Sequence, residues 1–162
     1  AIRFDINDVR IFVGRDSSGV RGIKLKPKDK VVSMSLIPES EEKFVLSVTE
    51  NGFGKRTNTK DYRKTNRGGQ GVANIECSDR NGPVVASYIV SASDQIMLVT
   101  NAGKLIRIKI HENNNNSIRV TGRKTQGVKL FDIVEAEKVV SVALLVEGDE
   151  DEEDDISQSK EA

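Results

Sequence analysis

Short apolar runs alternate with brief polar turns along this chain, and the runs come in pairs. Phe44-Val45-Leu46-Ser47-Val48-Thr49 enters a turn at Glu50-Asn51-Gly52, and the chain resumes at Gly54-Lys55-Arg56-Thr57. Ile96-Met97-Leu98-Val99-Thr100 turns at Asn101-Ala102-Gly103 and returns over residues 104–110. Strand-forming residues around a short Gly-containing connection predict a hairpin. In the returning segment Leu105, Arg107 and Lys109 share one face, while Lys104, Ile106, Ile108 and Ile110 share the other. That alternation predicts a strand that carries basic residues near a surface. A second set of runs follows: residues 20–25 precede 31–36, residues 71–75 precede 84–90, and residues 128–130 precede 139–145. No stretch has a helical period. Residues 132–138 have room for a short turn, and the polar tract 113–116 predicts a loop tip.

The pairs recur on a fixed beat. Gly14-Arg15-Asp16-Ser17-Ser18-Gly19-Val20 returns as Asn66-Arg67-Gly68-Gly69-Gln70-Gly71-Val72 and as Gly122-Arg123-Lys124-Thr125-Gln126-Gly127-Val128. Thr49-Glu50-Asn51-Gly52 returns as Thr100-Asn101-Ala102-Gly103. A period of about fifty residues marks one structural unit repeated, as in propellers and solenoids. Each complete repeat offers about four antiparallel strands, the blade of a propeller. The expected fold is therefore all-β, a partial propeller-like array of about ten strands. It divides into a partial blade over 1–40, complete blades over 41–92 and 93–146, and a disordered tail over 147–162. Such an array leaves blade edges exposed at both ends, to be covered by further blades or by self-association.

Composition sharpens this picture. Tryptophan is absent and aromatic residues make up only 4%, so Val, Ile and Leu must build the core. The single Cys77 excludes an internal disulfide and suits a reducing cytoplasm. No apolar run is long enough for a membrane helix, and no signal-peptide pattern opens the chain. Formal charge is zero overall but unevenly spread: residues 1–146 hold 24 bases and 16 acids, while residues 147–162 hold nine acids and one base. A basic body suits a polyanionic partner, and an acidic tail of this kind is solvated. That tail either competes with the polyanion for the basic body or only solubilises the chain.

The phrases quoted above, with Thr49-Glu50-Asn51-Gly52-Phe53-Gly54-Lys55-Arg56-Thr57 and Gly122-Arg123-Lys124-Thr125-Gln126-Gly127-Val128-Lys129-Leu130-Phe131, resemble the C-terminal domain of bacterial DNA gyrase A. The likeness runs from Ile2 to Leu145 and covers the last blades only. Residues 66–71 resemble the family's first-blade box, of Gln-Arg-Arg-Gly-Gly-Lys-Gly type, with one Arg and the Lys replaced; they read as its later-blade counterpart. The resemblance implies a β-pinwheel that wraps duplex DNA without sequence specificity around a basic rim, supporting ATP-dependent negative supercoiling by a type II topoisomerase. It implies as partners DNA, the remainder of gyrase A, and gyrase B, with a cytoplasmic, nucleoid-associated location and no membrane. ATP and Mg belong to the whole enzyme; no cofactor, metal or catalytic residue is expected in this stretch. Neither Tyr62 nor Tyr88 inherits the role of the cleaving tyrosine. The alternatives are the matching C-terminal domain of topoisomerase IV, or a propeller scaffold that binds an acidic protein.

Wrapping needs cations spaced along a curved surface, because phosphate contacts release condensed counterions and the bending cost must be shared among many of them. Arg15, Arg67 and Arg123 are the repeated candidates. Gly68, Gly69 and Gly71 would let the backbone approach a phosphate. The competing reading has these glycines serving turns or bulges while the arginines cap a neighbouring blade. Lys55, Arg56, Lys60, Arg63, Lys64 and Arg67 form a dense basic segment that reads as a phosphate-contacting loop, against an ordinary solvated one. Lys24, Lys26, Lys104, Arg107, Lys124 and Lys129 are further candidates on the same surface. His111 has no Cys or His cluster to make a metal site and reads as a loop residue. Cys77 has no base nearby in sequence to activate it.

Overall fold

The computed structural model describes residues 1–39, 42–111, 117–134 and 136–145. The acidic tail over 147–162 and the tract over 113–116 lie outside the described residues. Among the described residues seven strands form: β1 (Phe44–Thr49), β2 (Phe53–Asn58), β3 (Val84–Val90), β4 (Gln95–Thr100), β5 (Leu105–Lys109), β6 (Val128–Lys129) and β7 (Val139–Leu145). Two 3-10 turns, Ile6–Asp8 and Thr59–Asp61, are the only helical elements among the described residues. No described helix is long and apolar enough to cross a membrane.

Both expected hairpins form. β1 and β2 pair antiparallel, with Gly52 at φ +75° in the turn, and β4 and β5 do the same around Gly103 at φ +79°. These are left-handed angles that cost an L-residue energy but not glycine. The strands lie in two antiparallel sheets, ordered β3-β1-β2-β6 and β5-β4-β7. Their inward faces share one core of Leu46, Val48, Ala86, Val90, Ile96, Leu98, Ile110, Ile118, Val139 and Val142. The Tyr88 hydroxyl donates to the Val142 carbonyl at 2.5 Å, tying β3 of one sheet to β7 of the other. Burial there offsets the chain entropy lost on folding, at about 25 cal/mol per Å² of apolar surface.

The fold differs from the sequence expectation in two ways. First, a blade is not built from one repeat. The fourth strand of the β3-β1-β2-β6 sheet is β6, supplied by the next repeat and bonded to the outer edge of β2 through Gly54↔Val128 and Phe53↔Lys129. Second, residues 1–39 form no strand; they contribute a 3-10 turn and one isolated bridge, Arg3↔Lys64. The strands expected over 20–25 and 31–36 need neighbours to complete their ladders. The first has only two separate backbone–backbone bonds among the described residues, from Lys24 N–H to the Gly69 carbonyl and from Gly68 N–H to the Gly22 carbonyl, and the second joins no ladder among the described residues. The apolar side chains of the second therefore stay in solvent, with Met34 92% and Val31 63% exposed.

The first repeat nevertheless keeps its local geometry. Asp5 accepts the Asn7 backbone N–H and caps the turn Ile6–Asp8. Asn58 accepts the Lys60 backbone N–H and caps Thr59–Asp61 in the same way. These side chains satisfy donors that the turn itself leaves free.

Candidate nucleic-acid interface

The repeated arginine phrases sit where one unit meets the next. At the first junction Arg67 donates from Nη1 to the Arg21 carbonyl at 2.6 Å and from Nε to the Asp8 carbonyl at 3.1 Å. At the second, Arg123 donates from Nη1 to the Ala73 carbonyl at 2.8 Å, and its guanidinium stands 6.0 Å from the centre of the Tyr62 ring. Arg21 and Ala73 each follow the Gly-Val pair of the preceding repeat. Both arginines therefore tie their own unit to the one before it, through charge-assisted bonds to the same carbonyl position.

The glycines of the phrases serve the same contact. A Cβ on Gly71 would lie 2.1 Å from the Ala1 carbonyl oxygen, and one on Gly127 would lie 2.7 Å from that of Gly54. Both have left-handed φ, +75° and +80°. Only glycine lets the two backbones approach this closely. The strand exchange follows at once, because Val72 N–H bonds to the Ala1 carbonyl and Val128 pairs with Gly54. Gly68 N–H is engaged with the Gly22 carbonyl at 2.7 Å, and the Gly69 carbonyl accepts Lys24 N–H at 2.8 Å. The Gly68 amide is thus committed within the protein, not presented to a phosphate as the sequence reading allowed.

The basic segment over 55–67 is not one solvated loop. Its first part is β2, and there Lys55 is fully buried. Lys55 Nζ donates to the carbonyls of Gly122 at 2.7 Å and Arg123 at 2.6 Å, and to Thr125 Oγ1 at 3.2 Å. Burial, with the nearby Arg123 charge, pushes its ammonium down to about 8. Arg56 is buried as well; Nε donates to the Ile118 carbonyl at 2.7 Å, the guanidinium lies over Phe44, and burial lowers its pKa. These two cations are corrections to the surface set: they hold the third unit's loop in place from below. Tyr62 is buried beside them and hydrogen-bonded to Asn74, its phenol pushed up to about 12 by burial.

Other candidates are half-committed. Lys64 pairs with Asp5, which lowers the Asp5 carboxyl and raises the Lys64 ammonium. Lys104 pairs with the buried Glu137 at 2.8 Å; with Thr100 it holds that carboxyl below its ordinary range. Lys129 pairs with Asp132 at 2.7 Å, and Arg107 donates to Gln95 at 2.7 Å. Each keeps an exposed side chain but has a partner to give up.

Several of the uncommitted cations lie in two patches beside the unit junctions. Arg15, Lys24, Lys26, Lys60, Arg63 and Lys124 are exposed, and their side chains make no hydrogen bond or ion pair with other described residues. Lys24 and Lys26 begin the turn Lys24-Leu25-Lys26-Pro27-Lys28-Asp29-Lys30, anchored at Gly69 by the Lys24 amide. Lys28 and Lys30, which the sequence reading passed over, are exposed too; lysine at every second position was the signal for them. Asp29 turns inward on the Lys26 backbone N–H at 3.3 Å. The second patch surrounds a shallow open groove lined by Asp61, Gly122, Arg123 and Lys124, with Lys60 and Arg63 on the adjoining turn. His111 is exposed and contacts Ser117 through Nδ1 at 2.9 Å. Cys77 is an exposed free thiol whose pKa burial raises.

An all-β array in which one sheet takes its last strand from the next repeat, joined by Gly-Arg and Gly-Val phrases, defines a blade-repeat protein. Residues 1–38, 43–91 and 94–145 match the family described as DNA gyrase C-terminal domain, beta-propeller, and the chain belongs to that family. Among similar proteins, the DNA gyrase A of Rickettsia conorii is 38% identical over 200 aligned positions, covering 95% of this chain and 22% of that protein. The DNA gyrase A of Salmonella typhimurium is 46% identical over 152 positions, covering 94% of this chain and 16% of that one. The chain thus spans about a fifth of the length of the relatives it matches. A solved DNA gyrase A C-terminal domain superposes with a TM-score of 0.71 at 28% identity, covering 88% of this chain and 46% of that one. The C-terminal domain of DNA topoisomerase IV gives 0.76 at 29%, covering 87% and 42%.

Proposed function

We propose that this chain binds duplex DNA without sequence specificity and helps to wrap it, as the last blades of a DNA gyrase A protein. The carrying observation is the position of the free cations. Lys24, Lys26, Lys28 and Lys30 flank the first unit junction, and Lys60, Arg63 and Lys124 flank the second. Two successive junctions thus carry free positive charge, and a bent polyanion needs its bending cost shared among several such contacts. Phosphate contacts position a duplex without reading its sequence, and ammonium or guanidinium groups free of protein partners can release counterions without first breaking an ion pair. ATP hydrolysis and strand passage belong to other parts of the enzyme in this reading, and no step of the cycle uses a catalytic group here.

Titration of mixed-sequence duplexes across salt concentration tests it. Log affinity should fall linearly with log salt, by about 0.9 per phosphate contact. Changing Lys24, Lys26, Lys28 and Lys30 together to Gln should flatten that slope and weaken binding equally on all sequences. Absence of binding even at low ionic strength would leave the scaffold for an acidic protein as the better reading. The likeness to the topoisomerase IV domain favours a second reading, in which the surface holds DNA without completing a wrap. A linking-number shift in relaxed circles closed in the presence of the chain supports wrapping; binding with no shift supports the second.

A further inference from the structure

At the second junction three carbonyls in a row turn inward. Thr57 Oγ1 donates to the Thr121 carbonyl at 2.9 Å, and Lys55 Nζ donates to those of Gly122 and Arg123 at 2.7 and 2.6 Å. Both donors belong to β2, and both residues are fully buried. None of the described peptide bonds is cis. In a trans peptide the N–H points opposite to the C=O. The amides of Gly122, Arg123 and Lys124 therefore turn away from β2, on the side of the groove that these three residues line with Asp61. Among the described residues none of the three amides has an acceptor. Thr125 braces the turn: its Oγ1 accepts from Lys55 Nζ at 3.2 Å and donates to the Gly122 carbonyl at 3.0 Å.

The first junction is built otherwise. The bridges Arg3↔Lys64 and Arg56↔Val120 set the correspondence between the two. Ile2 then stands in the place of Lys55, and its Cδ1 lies 3.8 Å from a Cβ placed on Gly69, the counterpart of Thr125. Gly68, the counterpart of Lys124, gives its amide to the Gly22 carbonyl at 2.7 Å. An apolar side chain there fills space but draws no carbonyl inward. Only the second junction combines a buried ammonium, a turn of outward amides and an exposed cation, Lys124, with no hydrogen bond or ion pair among the described residues.

We propose that the turn over residues 122–124 binds one phosphate diester of the DNA backbone through its outward amides and the Lys124 ammonium, and that Lys55 is its positioning residue. The site rests on the reading of this surface as a DNA interface and assigns one contact within it. Lys55 touches no phosphate. It holds the carbonyl ends of two peptides, so that their positive N–H ends face the groove, and its charge adds to the potential there. The groups around it set its sensitivity to pH. Ser47 faces it from β1 and carries no charge. From the turn, the Arg123 guanidinium acts with burial to hold the ammonium near 8. The Tyr62 phenol, pushed up to about 12, stays neutral over that range, and Asp61 lines the groove.

Duplex binding by the full 162-residue chain, followed by fluorescence anisotropy across salt, tests the proposal. Lys124→Gln should lower the salt slope by about 0.9 in the wild-type background. In Lys55→Met, where the turn is no longer held, it should lower the slope far less. Lys24→Gln, at the other junction, should lower it equally in both backgrounds. From about one pH unit below the Lys55 titration to one above it, wild-type affinity should fall several-fold, because a neutral amine has two hydrogens for three acceptors. Lys55→Met should stay flat over the same range. If circular dichroism shows that Lys55→Met does not fold, Thr57→Val, which frees only the Thr121 carbonyl, replaces it in the comparison. Equal losses for Lys124→Gln in both backgrounds overturn the proposal, and so does one pH profile shared by the chains with and without Lys55. If the wild type binds no duplex at low ionic strength, the DNA reading fails separately and inorganic phosphate decides this site. Shifts of the Gly122, Arg123 and Lys124 amide resonances that vanish in Lys55→Met retain it as a phosphate site, and unmoved resonances remove it.

Discussion

Arg15, Arg67 and Arg123 occur in the same phrase, yet the structure uses them differently. Arg67 and Arg123 reach back to a carbonyl of the preceding unit, over a glycine pressed against that unit's strand edge. Arg15 stands in solvent beside a glycine with open space around it. The difference is in the neighbour, not the phrase. A repeat of this kind encodes half of a contact, and its residues acquire a structural role only when the adjacent unit supplies the other half. The contrast also separates two kinds of basic residue that composition cannot distinguish: those that bind protein carbonyls and those left for a ligand.

The sharpest way to break the comparison is to put the same side chain at a filled and at an open position. Gly127→Val should destabilise the chain by about 3–5 kcal/mol, combining left-handed strain with overpacking against the Gly54 carbonyl. Gly19→Val should change stability by less than about 0.5 kcal/mol, as expected of an exposed site. Urea unfolding followed by circular dichroism measures both. Equal losses at the two sites would mean that the open end is packed in solution after all.

Lys55 gives the next largest effect, because it supports the second junction from inside the sheet. Lys55→Met keeps the volume but leaves the Gly122 and Arg123 carbonyls without their donor, and should cost roughly 2–3 kcal/mol near neutral pH. Its pH dependence has a definite sign. The folded ammonium titrates near 8 and the unfolded one near its ordinary value of 10.5. Between those values the unfolded chain binds more protons, so this group makes stability rise with pH. Tyr62 acts in the opposite sense higher up. Its phenol titrates near 12 when folded and 10 when unfolded, so its contribution is lost as pH rises above 10. Wild-type stability minus that of Lys55→Met should therefore climb from pH 8 to 10. A flat difference would show that the three acceptors keep the lysine charged throughout.

The hairpins were legible in the sequence because their determinants are local: Phe44 to Thr49 and Ile96 to Thr100 are strand formers, and Gly52 and Gly103 supply the turn angle. The unit period was legible for the same reason. Strand exchange was not, since nothing local says that Val128 pairs with Gly54 in place of a strand of its own repeat. The basic residues were half legible. Lys55 and Arg56 follow a turn in a run rich in charge, which reads as a solvated loop, but strand alternation and the next unit's loop enclose them. Lys28 and Lys30 were not legible from the period, because they lie outside the repeated phrase in a turn that is basic only in the first repeat.

The smallest effect is the most discriminating. Arg123→Ala removes one charge-assisted bond to the Ala73 carbonyl and a ring contact with Tyr62, both partly solvated, and should cost about 1–2 kcal/mol. Arg15→Ala should leave stability of the dilute chain unchanged, because that guanidinium has no partner to lose. DNA affinity then separates tie from ligand contact. If Arg123 acts only as a tie, Arg123→Lys should weaken the junction while leaving the salt slope of DNA binding as it was, since an ammonium carries the same charge but lacks the planar fork. If the slope instead falls by about 0.9 when Arg123 becomes Ala at a temperature where the chain stays folded, the arginine touches phosphate as well. In that case the filled junctions hold the blades together and also form part of the surface on which DNA lies.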